Sequence, residues 1–186
     1  MSTPLRFTVS DLELLPEDGK RYEIIDGELH VSTQPHWQHQ YVSTRIVISF
    51  DRWDPDSERG VLIPAPGLIF APDQAVAPDV VWISRARFDQ VVGPDGKLHA
   101  APDLVVEILS PGAANEQRDR ELKLELYSRY GVREYWLVDW RRQTLDVYRR
   151  EQDALALAVR LSAEDSLTSP LLPGFAVLVR ALCATP

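Results

Sequence analysis

The run Leu104-Val105-Val106-Glu107-Ile108-Leu109 decides the fold. Its residues favour a pleated chain and its two alternating faces are both apolar, so it reads as a strand buried on each side in the middle of a sheet. A charged helix over residues 115–130 comes next, with Gly131 placed to end it. Beyond it, Glu134-Tyr135-Trp136-Leu137-Val138-Asp139 reads as a second buried strand. Strand, helix and strand in that order predict a right-handed parallel crossover at the centre of the molecule.

Toward the N-terminus, Thr8-Val9-Ser10-Asp11 offers capping oxygens to a short helix carrying Leu12, Leu14 and Leu15, which Pro16 and Gly19 end. Residues 21–25 and 28–31 flank Asp26-Gly27, a pair that accepts positive φ, and predict a hairpin. Trp37, Tyr41, Val42, Ile46, Phe50 and Trp53 recur at helical spacing and predict the longest amphipathic helix over residues 35–53. Residues 61–63, 67–70 and 79–83, separated by proline-rich turns, are expected as adjoining strands, and residues 85–92 as a short helix. Residues 144–149, 155–161 and 175–179 are expected to close the fold as antiparallel strands.

The chain has 186 residues, 45% of them hydrophobic and 26% charged, without repeats or low-complexity tracts. These values predict one domain over residues 1–186 and fit none of the disordered, collagen-like or disulfide-rich classes. No apolar run approaches the ~20 residues of a membrane span, and the opening residues lack an export signal, so a cytoplasmic protein with no membrane partner is expected. The lone Cys183 leaves neither an internal disulfide nor a thiolate zinc site. A net charge of −8 counts against a protein that coats nucleic acid. It leaves room for an enzyme acting on nucleic acid, because carboxylates that hold divalent cations make a bare sequence look more acidic than its loaded site.

Glu107 is the anomaly. A carboxylate in the middle of a buried strand costs several kcal/mol unless it is paired, protonated or bound to a cation. An outward-facing edge position or an arginine partner would also satisfy it. Asp79 follows Pro78 and opens an apolar strand, where it either caps a turn or faces inward. If the two strands are neighbours, Asp79 and Glu107 converge. Two carboxylates, a backbone carbonyl and waters make an octahedral Mg²⁺ or Mn²⁺ site. Such an ion polarises a phosphate and acidifies a bound water, the two needs of phosphodiester hydrolysis.

The same residues resemble a known pattern. Pro78-Asp79, Glu107 in a core strand and a nearby lysine are similar to the PD-(D/E)XK, or restriction-endonuclease-like, nuclease superfamily. The resemblance is closer to a family of small bacterial restriction endonucleases within it. Arg21-Tyr22-Glu23-Ile24-Ile25-Asp26-Gly27-Glu28-Leu29, Pro102-Asp103-Leu104-Val105-Val106-Glu107-Ile108-Leu109-Ser110-Pro111, Gly131-Val132 with Glu134-Tyr135-Trp136-Leu137-Val138-Asp139, and Ser169-Pro170-Leu171-Leu172-Pro173-Gly174-Phe175 carry it over nearly the whole chain. It implies an α/β fold with a mixed, curved β-sheet core flanked by helices, and a Mg²⁺-dependent (or Mn²⁺-dependent) endonuclease acting on DNA, with Asp79 and Glu107 as metal ligands.

One position departs from the superfamily: the lysine expected two residues after Glu107 is Leu109. The resemblance implies that Lys123 on the following helix replaces it. There Leu122, Leu126 and Tyr130 are expected to form the inward stripe, with Lys123 beside it; a solvated lysine paired with Asp119 is the alternative. The resemblance also suggests Glu23 as an auxiliary ligand or water-orienting base, against a place on the polar face of its strand. Asp103 repeats the Pro-Asp pattern and is the runner-up ligand. His36 and His39 head the long helix and are expected at the surface, where His39 could meet a phosphate. Arg118, Arg120, Arg133, Arg141 and Arg142 are candidates for backbone contacts to DNA. A two-fold dimer is expected, because cutting a duplex takes two scissions and because Trp53, Trp136 and Trp140 exceed what one small core buries. Two rivals stand beside the nuclease: a nuclease-like interaction module that has lost turnover, and a two-carboxylate glycosidase that needs no metal.

Overall fold

The computed structural model describes residues 5–184. Helix α1 (Val9–Leu12) starts at Thr8, whose amide and hydroxyl donate to the Asp11 carboxylate at 2.7 and 2.8 Å. Strands β1 (Arg21–Ile25) and β2 (Glu28–Ser32) form the expected hairpin, turning through Asp26 at φ 50° and Gly27 at φ 73°. Helix α2 (Trp37–Trp53) is next, then β3 (Gly60–Pro64), β4 (Leu68–Ala71), β5 (Gln74–Val76), β6 (Val80–Ser84), α3 (Phe88–Val91) and β7 (Leu104–Ile108). The charged helix comprises α4 (Ala113–Gln117), a π turn (Arg118–Leu122) and α5 (Lys123–Tyr130), ended by Gly131 at φ 90°. Strands β8 (Glu134–Asp139), β9 (Thr144–Glu151), β10 (Ala154–Leu161), β11 (Ser166–Leu167) and β12 (Val177–Leu178) and helix α6 (Val179–Cys183) complete the order.

The main sheet has six strands in the order β10-β9-β8-β7-β6-β3, with β7 and β8 parallel and the other pairs antiparallel. β7 is buried along its whole length, as its composition requires. A second sheet has the order β2-β1-β5-β4, so the chain is a mixed α/β fold. Two expectations are corrected here. Residues 67–70 do not adjoin β3 and β6: Pro64 and Pro66 flank Ala65 at φ 47° and lead the chain into the second sheet, where β4 pairs with β5, a strand too short to show alternation. Of residues 175–179 only Val177–Leu178 are a strand, β12, which pairs antiparallel with β11 as a separate two-stranded sheet, and Val179 already opens α6.

Alternation along the central strands sorts two apolar cores. Val80, Trp82, Leu104, Val106, Ile108, Trp136 and Val138 face α2 and α6, whereas Val81, Ile83, Val105, Leu109, Tyr135 and Leu137 pack with Leu126 and Tyr127 of α5. Glu107 belongs by alternation to the α5 side. Where a leucine or valine would contribute ~1.5–3 kcal/mol, the chain places a buried carboxylate instead. Of the aromatic residues expected to be in surplus, Trp136 is buried and Trp53 and Trp140 pack against the first core, so these three supply no reason for self-association, whereas Trp37 is exposed. No helix among the described residues is long and apolar enough to cross a membrane.

The π turn corrects the expected stripe. The Lys123 amide bonds to the carbonyl of Arg118, five residues back, and each residue added to a turn rotates the remainder of the helix by ~100°. Leu122 is therefore turned outward, 37% exposed, and Lys123 takes the inward row with Asp119 and Tyr127. The Asp119 carbonyl finds its partner in the Tyr135 hydroxyl at 2.9 Å.

Candidate active site

Six segments of the chain deliver charged or polar side chains to one point. Glu107 projects from β7 toward α5, where its Oε1 accepts from Lys123 Nζ at 2.9 Å and from the Tyr127 hydroxyl at 2.7 Å. Lys123 also lies 2.9 Å from Glu23 Oε1 on β1 and 3.9 Å from Asp119 Oδ1 in the π turn. Its ammonium has three protons and two such close partners, so one remains to give. Asp79, just before β6, accepts the Ile108 amide at 2.8 Å, next to Glu107 in the chain. His39 Nε2 approaches the same Oδ2 at 3.0 Å, and Arg21 holds Oδ1 at 3.1 Å.

Asp79, Glu107, Asp119, Lys123, Arg21, His39 and Arg118 line one cavity of about 610 Å³, walled by residues 32–36 on one side and by Ser110, Pro111 and Asn115 on the other. Glu23 lies behind it, beneath Lys123. Its Oε1 also accepts the Ala77 amide at 3.0 Å, while its buried Oε2 has no hydrogen-bond partner among the described residues and stands 4.0 Å from Arg118 Nε.

Burial raises the proton affinity of every carboxylate here, and the neighbours decide the outcome. Glu107 is pushed up to about 8 by burial, with Asp79, Asp119 and Glu23 adding to the rise against the opposing pull of Lys123. Asp119 is raised for the same reason. Burial also acts on Asp79, but the His39 hydrogen bond and charge, with Arg21 and Lys123, hold its carboxyl well below the usual carboxylate range. Glu23 is lowered, burial being outweighed by Lys123, the Ala77 amide and Arg118. Burial alone would lower Lys123, yet Glu107, Glu23 and Asp119 keep it firmly protonated.

Counting lone pairs shows what is left for a ligand. Glu107 Oε1 accepts two bonds and is full; Asp79 Oδ2 accepts one and has His39 Nε2 3.0 Å away; Asp79 Oδ1 has accepted one, and Glu107 Oε2 has no donor among the described residues. The described residues form no cluster of three or more His, Cys, Asp or Glu around a metal position. Two carboxylates with oxygens to spare fit Mg²⁺ or Mn²⁺, because such ions keep waters and take phosphate oxygens rather than demand a closed protein cage.

The structure thus brings Asp79, Glu107, Lys123 and Glu23 together and leaves others out. Asp103 is buried among Arg87 at 2.8 Å, Arg133 at 3.0 Å and the Ser84 amide, four residues (~13 Å of strand) from Glu107, so it anchors the far end of β7. His39 is not at the surface: it is 4% exposed and spent on Asp79. His36 stacks on Trp140 with ring centroids 5.8 Å apart and lines the cavity. Arg120, Arg133, Arg141 and Arg142 are tied to Asp139, Asp146, Asp103 and Glu116, and of the five arginines only Arg118 lines the cavity. Arg21 was missed, although it precedes Glu23 by two residues and so shares its strand face.

Residues 9–181 match the model of the Uma2 family, described as "Putative restriction endonuclease". Among solved structures the chain is similar to the crystal structure of "a putative nuclease belonging to DUF820 from Anabaena variabilis ATCC 29413", with a TM-score of 0.74 and 19% sequence identity over 95% of this chain and 97% of that chain. At that identity the likeness establishes that the two chains share one fold. No curated protein matches.

Proposed function

Because the chain belongs to the Uma2 family, we propose that it is a Mg²⁺-dependent endonuclease that hydrolyses DNA phosphodiester bonds. The observation that carries this reading is the buried Lys123 ammonium, 2.9 Å from both Glu107 and Glu23, in a cavity shared with Asp79. A lysine from the helix thereby supplies the charge that Leu109 cannot.

Asp79 and Glu107 would hold the cation through Oδ1 and Oε2, the oxygens with free lone pairs. When bound, that cation supplies polarisation of a phosphoryl oxygen and an acidified water. The protein's own groups do the rest. The Ile108 amide and His39 fix the Asp79 carboxylate, and Tyr127 with Lys123 fixes that of Glu107, so neither must reorganise during reaction. The remaining Lys123 proton is available to the negative charge that grows on the non-bridging phosphoryl oxygens as phosphorus is attacked, and the unpartnered Glu23 Oε2 is a hydrogen-bond acceptor able to orient water.

Supercoiled plasmid incubated with Mn²⁺ should be nicked and linearised, with EDTA and Glu107→Gln abolishing both products. A parent protein that leaves the plasmid intact while still binding Mn²⁺ would favour the interaction module that has lost turnover.

A further inference from the structure

Arg21 is held to the cavity wall by one nitrogen alone. Its NH1 donates to the Ala77 carbonyl and to Asp79 Oδ1, both at 3.1 Å, which uses both of that nitrogen's protons. The protons on Nε and NH2 meet no acceptor among the described residues, and the side chain keeps 30% of its exposure while lining the cavity with Asp79, Glu107 and Lys123. The Nε–NH2 edge of a guanidinium is a planar fork that matches two oxygens of a phosphate. Pinned at NH1, the fork loses little further freedom when it binds.

The other cations at the cavity are differently committed. Arg118 gives its Nε to Asp119 at 3.2 Å. Lys20 is exposed and paired with Asp18 at 2.6 Å. Lys123 is enclosed by three carboxylates.

We propose that Arg21 is a catalytic residue that grips the non-bridging oxygens of the phosphodiester through Nε and NH2 beside Asp79, an inference that rests on the nuclease reading. The competing role is a passive one, in which Arg21 only neutralises Asp79. The two differ in what removing the guanidinium does. A passive partner, once removed, frees Asp79, strengthens cation binding and leaves phosphate affinity unchanged. A phosphate fork, once removed, weakens phosphate affinity at saturating cation.

The experiment compares the parent with Arg21→Lys and Arg21→Gln in two assays. Calorimetry with thymidine 3′,5′-bisphosphate in saturating Ca²⁺ needs no turnover, and single-turnover plasmid cleavage in Mn²⁺ reports the reaction. Bisphosphate affinity should fall at least ~10-fold in the Gln variant and less in the Lys variant, since hydrogen bonds to charged groups are worth that much. Cleavage should fall ~10²–10³-fold. Unchanged bisphosphate affinity in both variants overturns the proposal, as does a parent that binds no bisphosphate. If the Gln variant fails to fold, the Lys variant decides. A parent that binds bisphosphate through Arg21 but never cuts DNA would sink the nuclease reading and leave the phosphate fork standing.

Discussion

Replacing Glu107 by Gln should stabilise the cation-free protein in a pH-dependent way. The amide keeps the size of the side chain, and its oxygen still accepts from Lys123 and Tyr127. What disappears is a carboxyl whose proton affinity folding raises from 4.5 to about 8, through burial first and the surrounding carboxylates next. A carboxyl shifted upward stabilises the folded chain in full below its unfolded value and loses that contribution as pH rises toward its folded value. The parent should therefore lose stability between about pH 4.5 and 8 on account of this group, and the variant should not. At pH 7 the difference works out at about 3 kcal/mol in favour of the variant, from 1.36 kcal/mol per pH unit. With a urea slope of ~2 kcal/mol/M, the midpoint should rise by roughly 1.5 M at pH 7 and by almost nothing near pH 4.5. Urea titrations at four pH values between 4.5 and 8 check this. A variant less stable than the parent at pH 7 to 8 would refute the reasoning, because it would mean that Lys123 fully satisfies an ionised Glu107. The same variant should lose Mn²⁺ binding by calorimetry, since the oxygen with free lone pairs is gone.

Lys123→Met should cut single-turnover cleavage by ~10²–10³-fold at saturating Mn²⁺ and destabilise the fold by ~3–5 kcal/mol, because it strips the cation from buried carboxylates; cleavage at the parental rate would remove the lysine from the reaction. Sedimentation equilibrium at high protein concentration should return about twice the chain mass of 21.1 kDa, as expected of an enzyme that cuts both strands; a mass near 21.1 kDa would show a monomer.

Much of this architecture is legible in the residues. The doubly apolar Leu104–Ile108 run placed the central strand, and Gly131 placed the end of the helix, because burial on two faces and a left-handed cap each admit few residue types. Asp79 and Glu107 were legible for the opposite reason: each is a charge where the pattern demands none. The errors are equally physical. The outward turn of Leu122 depends on one extra residue in a helical turn, a change of hydrogen-bond register that leaves no mark in composition. Burial of His39 depends on where the first turn of α2 meets the start of β6, a tertiary contact between residues 40 apart in sequence. The route of residues 67–70 into a second sheet turns on the φ of Ala65 between two prolines, which spacing alone does not reveal.

An ammonium carried on the helix at position 123, with leucine at position 109 just past β7, has a mechanical consequence. In a strand-borne arrangement, carboxylate and ammonium ride on the same pleat, and their separation is fixed by covalent geometry. Here Glu107 rides on the sheet while Lys123 rides on a helix whose winding is set by the π turn. The two signs of charge sit on separate parts of the frame, and the gap between them is a packing variable. One residue of helical advance is ~1.5 Å, enough to turn a 2.9 Å contact into none. Substitutions along the seam between α5 and β7, well away from any charged atom, thereby become a way to tune the ammonium without touching the strand that carries Glu107.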